Sequence, residues 1–139
     1  MLEKQEFYWG AAIVRVLEDS RCASLSKAEY GYLINSTHFI VLKYSTKSRT
    51  PWRFSFGEDE IKRFVDASDR YKSVVIGLIC GGDGVCAIYW EQAMALLGAE
   101  PGWVSVRRNF RKRYAVAGQK DELNGKISIR DWPGLLFEP

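Results

Sequence analysis

Apolar residues recur at Phe7, Ala11, Val14 and Leu17, the three-to-four spacing of a helix with one buried stripe, and predict a first helix over residues 7–19. Ser26 followed three residues later by Glu29 matches a capping box that would open a second helix, whereas residues 30–34 read as a strand; the strand is favoured. Asn35, Ser36 and Thr37 supply turn chemistry before a strand over 38–44. Its two faces separate into Phe39, Val41, Lys43 and Ile40, Leu42, Tyr44. After a polar loop at 45–51, Trp52, Phe54 and Phe56 alternate with Arg53 and Ser55, as in a strand buried on one side. Three strands in succession favour an antiparallel meander.

Gly57 ends that run, and Glu58, Asp59 and Glu60 put acids in the first turn of a helix reaching about residue 70, with Ile61, Phe64 and Val65 on its apolar face. Residues 74–80 are continuously apolar, the mark of a central strand covered on both faces, and the glycines at 81, 82 and 84 turn it into a further strand over 85–89. A short helix over 90–97 stops at Gly98, and strands at 103–106 and 114–116 flank a basic connection before a tail rich in Trp132, Leu135, Leu136 and Phe137. The order α-β-β-β-α-β-β-α-β-β predicts an α+β fold with a mainly antiparallel mixed sheet and three helices, in one domain spanning 1–139.

Composition narrows the class. With 139 residues, 47% hydrophobic and 14% aromatic, the chain has the makings of a real core, which excludes disordered and low-complexity classes. Its longest apolar run, at 74–80, is far short of the roughly 20 residues that span a bilayer, so no membrane role is expected. Three Cys leave one unpaired, and residues 1–6 lack the basic start and apolar run of a secretory signal, which leads to the expectation of a reducing cytoplasm.

The net charge of +3 decides little, but the distribution of cations matters. Between 107 and 113, Arg107, Arg108, Arg111, Lys112 and Arg113 are uninterrupted by any acid, with Phe110 beside them and Tyr114 next in the chain as rings that could stack on an unpaired base. A second stretch without acids carries Lys43, Lys47, Arg49 and Arg53, with Tyr44 and Trp52 interleaved. If the two share a face they form a groove for DNA or RNA phosphates; if they face apart, each is ordinary solvated surface.

Lys43 closes the face shared with Phe39 and Val41, so its stem is covered while its ammonium leaves the sheet margin. The helix, hairpin and lysine-bearing strand, followed by strand, helix and strand over residues 6–80, resemble the core of the PD-(D/E)XK, or restriction-endonuclease-like, nuclease superfamily. That resemblance implies an acid at the turn and an acid two residues before the lysine, together holding a divalent metal for phosphodiester hydrolysis. Here Asn35 stands at the first position and Val41 at the second, while Glu6 resembles the helix acid of some members. With both motif acids missing, the resemblance implies fold and nucleic-acid affinity but no metal site, no cofactor and no cleavage. Activity would require Lys43 and Glu6 with other acids, Glu3 or Glu29, and Mg²⁺.

Other candidates have simpler readings. His38, the only histidine, reads as a strand-edge residue with a local hydrogen bond, and Cys80 and Cys86 as buried free thiols rather than a disulfide or metal pair. The glycines at 81–84 lack a P-loop lysine and are explained by a tight turn. The expected function is therefore nucleic-acid binding by a catalytically degenerate nuclease-like domain. The alternative is an interaction module whose basic surface meets an acidic protein.

Overall fold

The computed structural model describes residues 1–109 and 111–138. Its elements are α1 (Lys4–Leu17), β1 (Leu25–Ala28), β2 (Gly31–Ile34), β3 (His38–Ser45), β4 (Trp52–Phe56), α2 (Glu58–Arg70), β5 (Ser73–Cys80) and β6 (Gly84–Tyr89). There follow α3 (Trp90–Leu97), β7 (Gly102–Arg107), β8 (Ala115–Gly118), and a short helical turn α4 (Asp131–Gly134) that runs into a 3-10 turn at Leu135–Phe137. The fold is α+β with mostly antiparallel sheets, and it carries this fourth helix beyond the three that periodicity predicts.

Two sheets replace the single one expected. The first has the order β1-β2-β3-β5-β6, antiparallel except for the parallel pair β3 and β5; the second is the antiparallel set β4-β7-β8. The meander therefore stops at β3. Its far edge is taken by β5, whose apolar run needs a strand on each side and cover on both faces, so β4 pairs with β7 instead, Phe54 opposite Val104.

Period-two alternation along β5 feeds two cores. Val74, Ile76, Leu78 and Cys80 face Phe54, Phe56, Phe64, Leu96 and Val106, between the two sheets and against α2 and α3. Val75 and Ile79 face Ala12, Val16, Trp132 and Leu136, beneath α1 and the chain's tail. Each such aliphatic side chain contributes about 1.5–3 kcal/mol on burial, which makes β5 the spine of the molecule. Gly77 belongs to this spine because Trp132 and Leu42 occupy the space its Cβ would need.

The structure corrects several readings of pattern. On α1 the buried stripe is Ala12 and Val16, flanked by Tyr8, Trp9 and Ile13, while Phe7, Val14 and Leu17 are exposed. Both stripes are apolar, and small Ala12 is the one that admits close packing: the Trp132 indole N–H donates to its carbonyl at 3.1 Å. On α2, Ala67 is buried with Phe64, and Val65 points outward. Residues 25–28 form β1 because their backbone is satisfied by pairing with β2, Leu25 opposite Ile34, so the capping-box pattern at Ser26 opens no helix.

Candidate functional site

β3 outruns its neighbour. Pairing with β2 ends at Tyr32 opposite Ile40, whereas pairing with β5 continues to Ser45 opposite Cys80, so the β2 side of residues 41–45 opens into a cleft of about 690 Å³. Its walls are Trp9 of α1, the β1–β2 hairpin with Lys27, Tyr30 and Tyr32, Arg53 and Ser55 of β4, and Glu60 and Arg63 of α2. Lys43 and Tyr44 come from β3 itself.

Among the described residues of its walls, four cations face one carboxylate. Glu60 lies at the third position of α2, where its Oε1 accepts the Gly57 N–H at 3.2 Å and its Oε2 meets the Lys43 ammonium at 2.5 Å. Lys43 also sits 4.6 Å from the centre of the Phe56 ring, its stem covered as the alternation of β3 requires. Arg63 stacks on Tyr30 at 3.8 Å, and Trp9 meets Tyr32 edge-on at 6.4 Å. The buried Trp9 indole N–H has no acceptor among the described residues.

A second cleft of about 530 Å³ lies on the outer face of the β4-β7-β8 sheet, where Arg53, Trp103, Arg107 and Lys126 gather around Ser105, with Glu122 as the only acid among the described residues of its walls. The period of two explains this: Trp52, Phe54 and Phe56 take the inner face, which turns Arg53 outward, opposite Ser105, with Arg107 two residues further along β7. The Arg53 guanidinium lies 4.4 Å over the Trp103 ring. Arg53 lines both clefts.

Of the residues singled out by sequence, Lys43 lines the first cleft, Arg107 the second, and Arg53 both. Lys47, Arg49, Lys112 and Arg113 are exposed outside the two clefts, as is Arg111. Arg108 turns inward: Nε and Nη2 hold Asp83 at 2.7 and 2.5 Å, and Nη1 donates to the Lys112 carbonyl at 3.2 Å. The Tyr114 hydroxyl donates to the same carboxylate at 2.9 Å from a fully buried ring, so Tyr114 offers no surface to a base. Phe110, the other ring considered for stacking, lies outside the described residues. Arg108 holds the Asp83 carboxyl below the usual carboxylate range, and burial pushes the Tyr114 hydroxyl up.

Three cations escaped the sequence reading. Lys27 lies on β1, which the pattern left ambiguous. Arg63 follows Glu60 by three residues on α2 and so rises beside it on one face. Lys126 stands in irregular chain, where no periodicity signals a direction.

The positions at which the nuclease resemblance would seat a divalent cation do not fit one. Both ends of the Asn35 carboxamide are used in pinning the turn: Oδ1 accepts from the Ala23 and Ser24 N–H groups at 2.7 and 3.1 Å, and Nδ2 donates to the Arg21 carbonyl. The Val41 side chain has no oxygen to offer, and Glu6 caps α1 by accepting the Glu3 N–H at 3.0 Å. Among the described residues no three His, Cys, Asp or Glu side chains converge as a metal site.

The thiols and the histidine lie apart from the clefts. Leu78 faces Cys86 and Cys80 faces Gly84, so the two cysteines are offset rather than opposite; both are buried and free, and burial raises both thiols. His38 is buried at the start of β3 with Nδ1 2.7 Å from the Thr37 hydroxyl, and burial, helped by the charge of Lys72, lowers its pKa. No helix is long and apolar enough to cross a membrane among the described residues. Compared with known proteins, the chain matches no family model, no curated protein and no solved structure.

Proposed function

We propose that this chain is a nucleic-acid-associated domain, a catalytically degenerate relative of the nuclease fold its sequence resembles, which holds a phosphate backbone along the two adjoining clefts. The observation that carries this reading is the position of Arg53 in the walls of both, which makes one track with, among the described residues, six cations, Lys27, Lys43, Arg53, Arg63, Arg107 and Lys126, against two carboxylates, Glu60 and Glu122. Glu60 is already opposed by Lys43 at 2.5 Å, so the excess positive charge is spread along the track. Such an arrangement suits a polyanion with regularly spaced charges, whose binding is driven by release of condensed counterions and is largely blind to sequence. Cation and ring alternate along it, as at Arg53 over Trp103, which favours nucleic acid over a simple anion.

The test is fluorescence anisotropy with labelled DNA and RNA oligonucleotides across a range of salt. Binding that weakens linearly on a log–log plot is expected, and Arg53→Ala should lower the slope by about 0.9 for each phosphate that the variant no longer neutralises. Absence of binding at low salt would overturn the reading. Equal affinity for polyglutamate of matched charge would favour an acidic protein partner instead.

A further inference from the structure

Resting on that reading, we infer that the larger cleft takes unpaired nucleotides rather than a duplex, with Tyr30 and Tyr44 as stacking platforms at its rim. Phosphates alone need only the cations. Yet Tyr30 and Tyr44 keep 58% and 37% of their surface exposed beside Lys27, Lys43, Arg53 and Arg63, and the hydrophobic cores make no use of either ring.

The placement of Tyr30 is the stronger clue. It is the second residue of the two-residue turn joining β1 to β2, with φ of 66°, a left-handed conformation that glycine adopts freely and a bulky side chain rarely does. A ring is thus held at the hairpin tip where local conformation favours having none. Arg63 covers one face of that ring at 3.8 Å, and Tyr8 stacks on one face of Tyr44 at 5.5 Å and 13°. Each platform is backed on one side, which fixes its plane, and the exposure of both rings leaves surface for a base. A cleft of about 690 Å³ is the size of a small-ligand site and admits single nucleotides, whereas a duplex keeps its base faces inside its own stack.

The experiment compares 12-mers of deoxythymidine and of uridine with a blunt hairpin duplex carrying the same number of phosphates, by anisotropy at one salt concentration. The single strands, DNA or RNA, should bind more tightly than the duplex. Tyr30→Gly, which suits the turn and so spares the fold, and Tyr44→Ala should each weaken single-strand binding about tenfold and duplex binding far less. Tyr30→Phe and Tyr44→Phe, which keep the ring, should restore it. Equal binding of strand and duplex, or tyrosine variants that bind single strands like the parent, would overturn this inference; if Arg53→Ala still weakened both, the backbone-binding reading would stand alone. No binding of any oligonucleotide would remove both.

Discussion

Arg108 grips Asp83 through two nitrogens while the Tyr114 hydroxyl closes on the same carboxylate, tying the β5–β6 turn to the start of β8. One cation of the most basic stretch in the chain is therefore a structural clamp. Asp83→Asn or Arg108→Ala should cost about 2 kcal/mol in urea unfolding, since either leaves charge-assisted donors or acceptors half-buried and unmet. Because the folded Asp83 carboxyl lies below its unfolded value, its contribution is complete above the unfolded pKa and disappears as pH falls through the folded one. The parent should lose this increment below about pH 4, and Asp83→Asn should not.

Glu60 is the lone carboxylate among the described residues lining a cleft of four cations. Glu60→Gln keeps an oxygen for the Gly57 N–H and removes the charge, so oligonucleotide affinity should rise by about 1 kcal/mol at low salt and converge with the parent at high salt. Unchanged or weaker binding in the anisotropy assay would show that Lys43 needs its partner more than the ligand needs the charge.

His38 should make the fold weaker in mild acid. Its imidazole is held below the ordinary value by burial, so between the folded and unfolded pKa values the unfolded chain binds more protons and stability rises with pH. Melting temperature should fall from pH 7 to pH 5, and the drop should be smaller in His38→Gln, which keeps a polar side chain beside Thr37.

The thiols should differ in reactivity. Cys80 and Cys86 are buried with raised pKa values, while Cys22 is partly exposed. Titration of the native protein with an aromatic disulfide reagent should modify one thiol promptly and the other two at the rate of unfolding. Prompt reaction at all three would contradict the packing of β5 against the second sheet.

Gly31 sets the spacing at the mouth of the cleft. A Cβ there would run into the Ile40 carbonyl and the Phe39 ring, so Gly31→Ala should destabilise by about 1–3 kcal/mol, read as a lower urea midpoint with an unchanged slope.

Legibility in the sequence followed the reach of local physics. The continuously apolar run of β5, the alternation of Trp52, Phe54 and Phe56, the acid-led start of α2 and the Gly98 stop of α3 all state short-range preferences, and each element is present. Lys43 shares the face of Phe39 and Val41 because a strand leaves it no other direction. Asn35 was legible as turn chemistry but not as the pin it is, since that role depends on backbone brought in from residues 21–24; the Glu3–Glu6 cap of α1 is local, but an apolar periodicity that starts at Phe7 passes it over.

By itself, then, the amino-acid order determined most of the helices and strands, though not β1 or the turn α4, an α+β class, and the supply of cations without nearby acids. Only the tertiary structure decided that β4 leaves the first sheet for β7, that Arg108 faces Asp83, and that Lys27, Arg63 and Lys126 line the two clefts with Lys43, Arg53 and Arg107. The reason is range. Periodicity and turn chemistry act over a few residues, whereas the choice of strand partner and of helix stripe is made by competing ways to bury the same apolar surface, and charge convergence is a consequence of that choice.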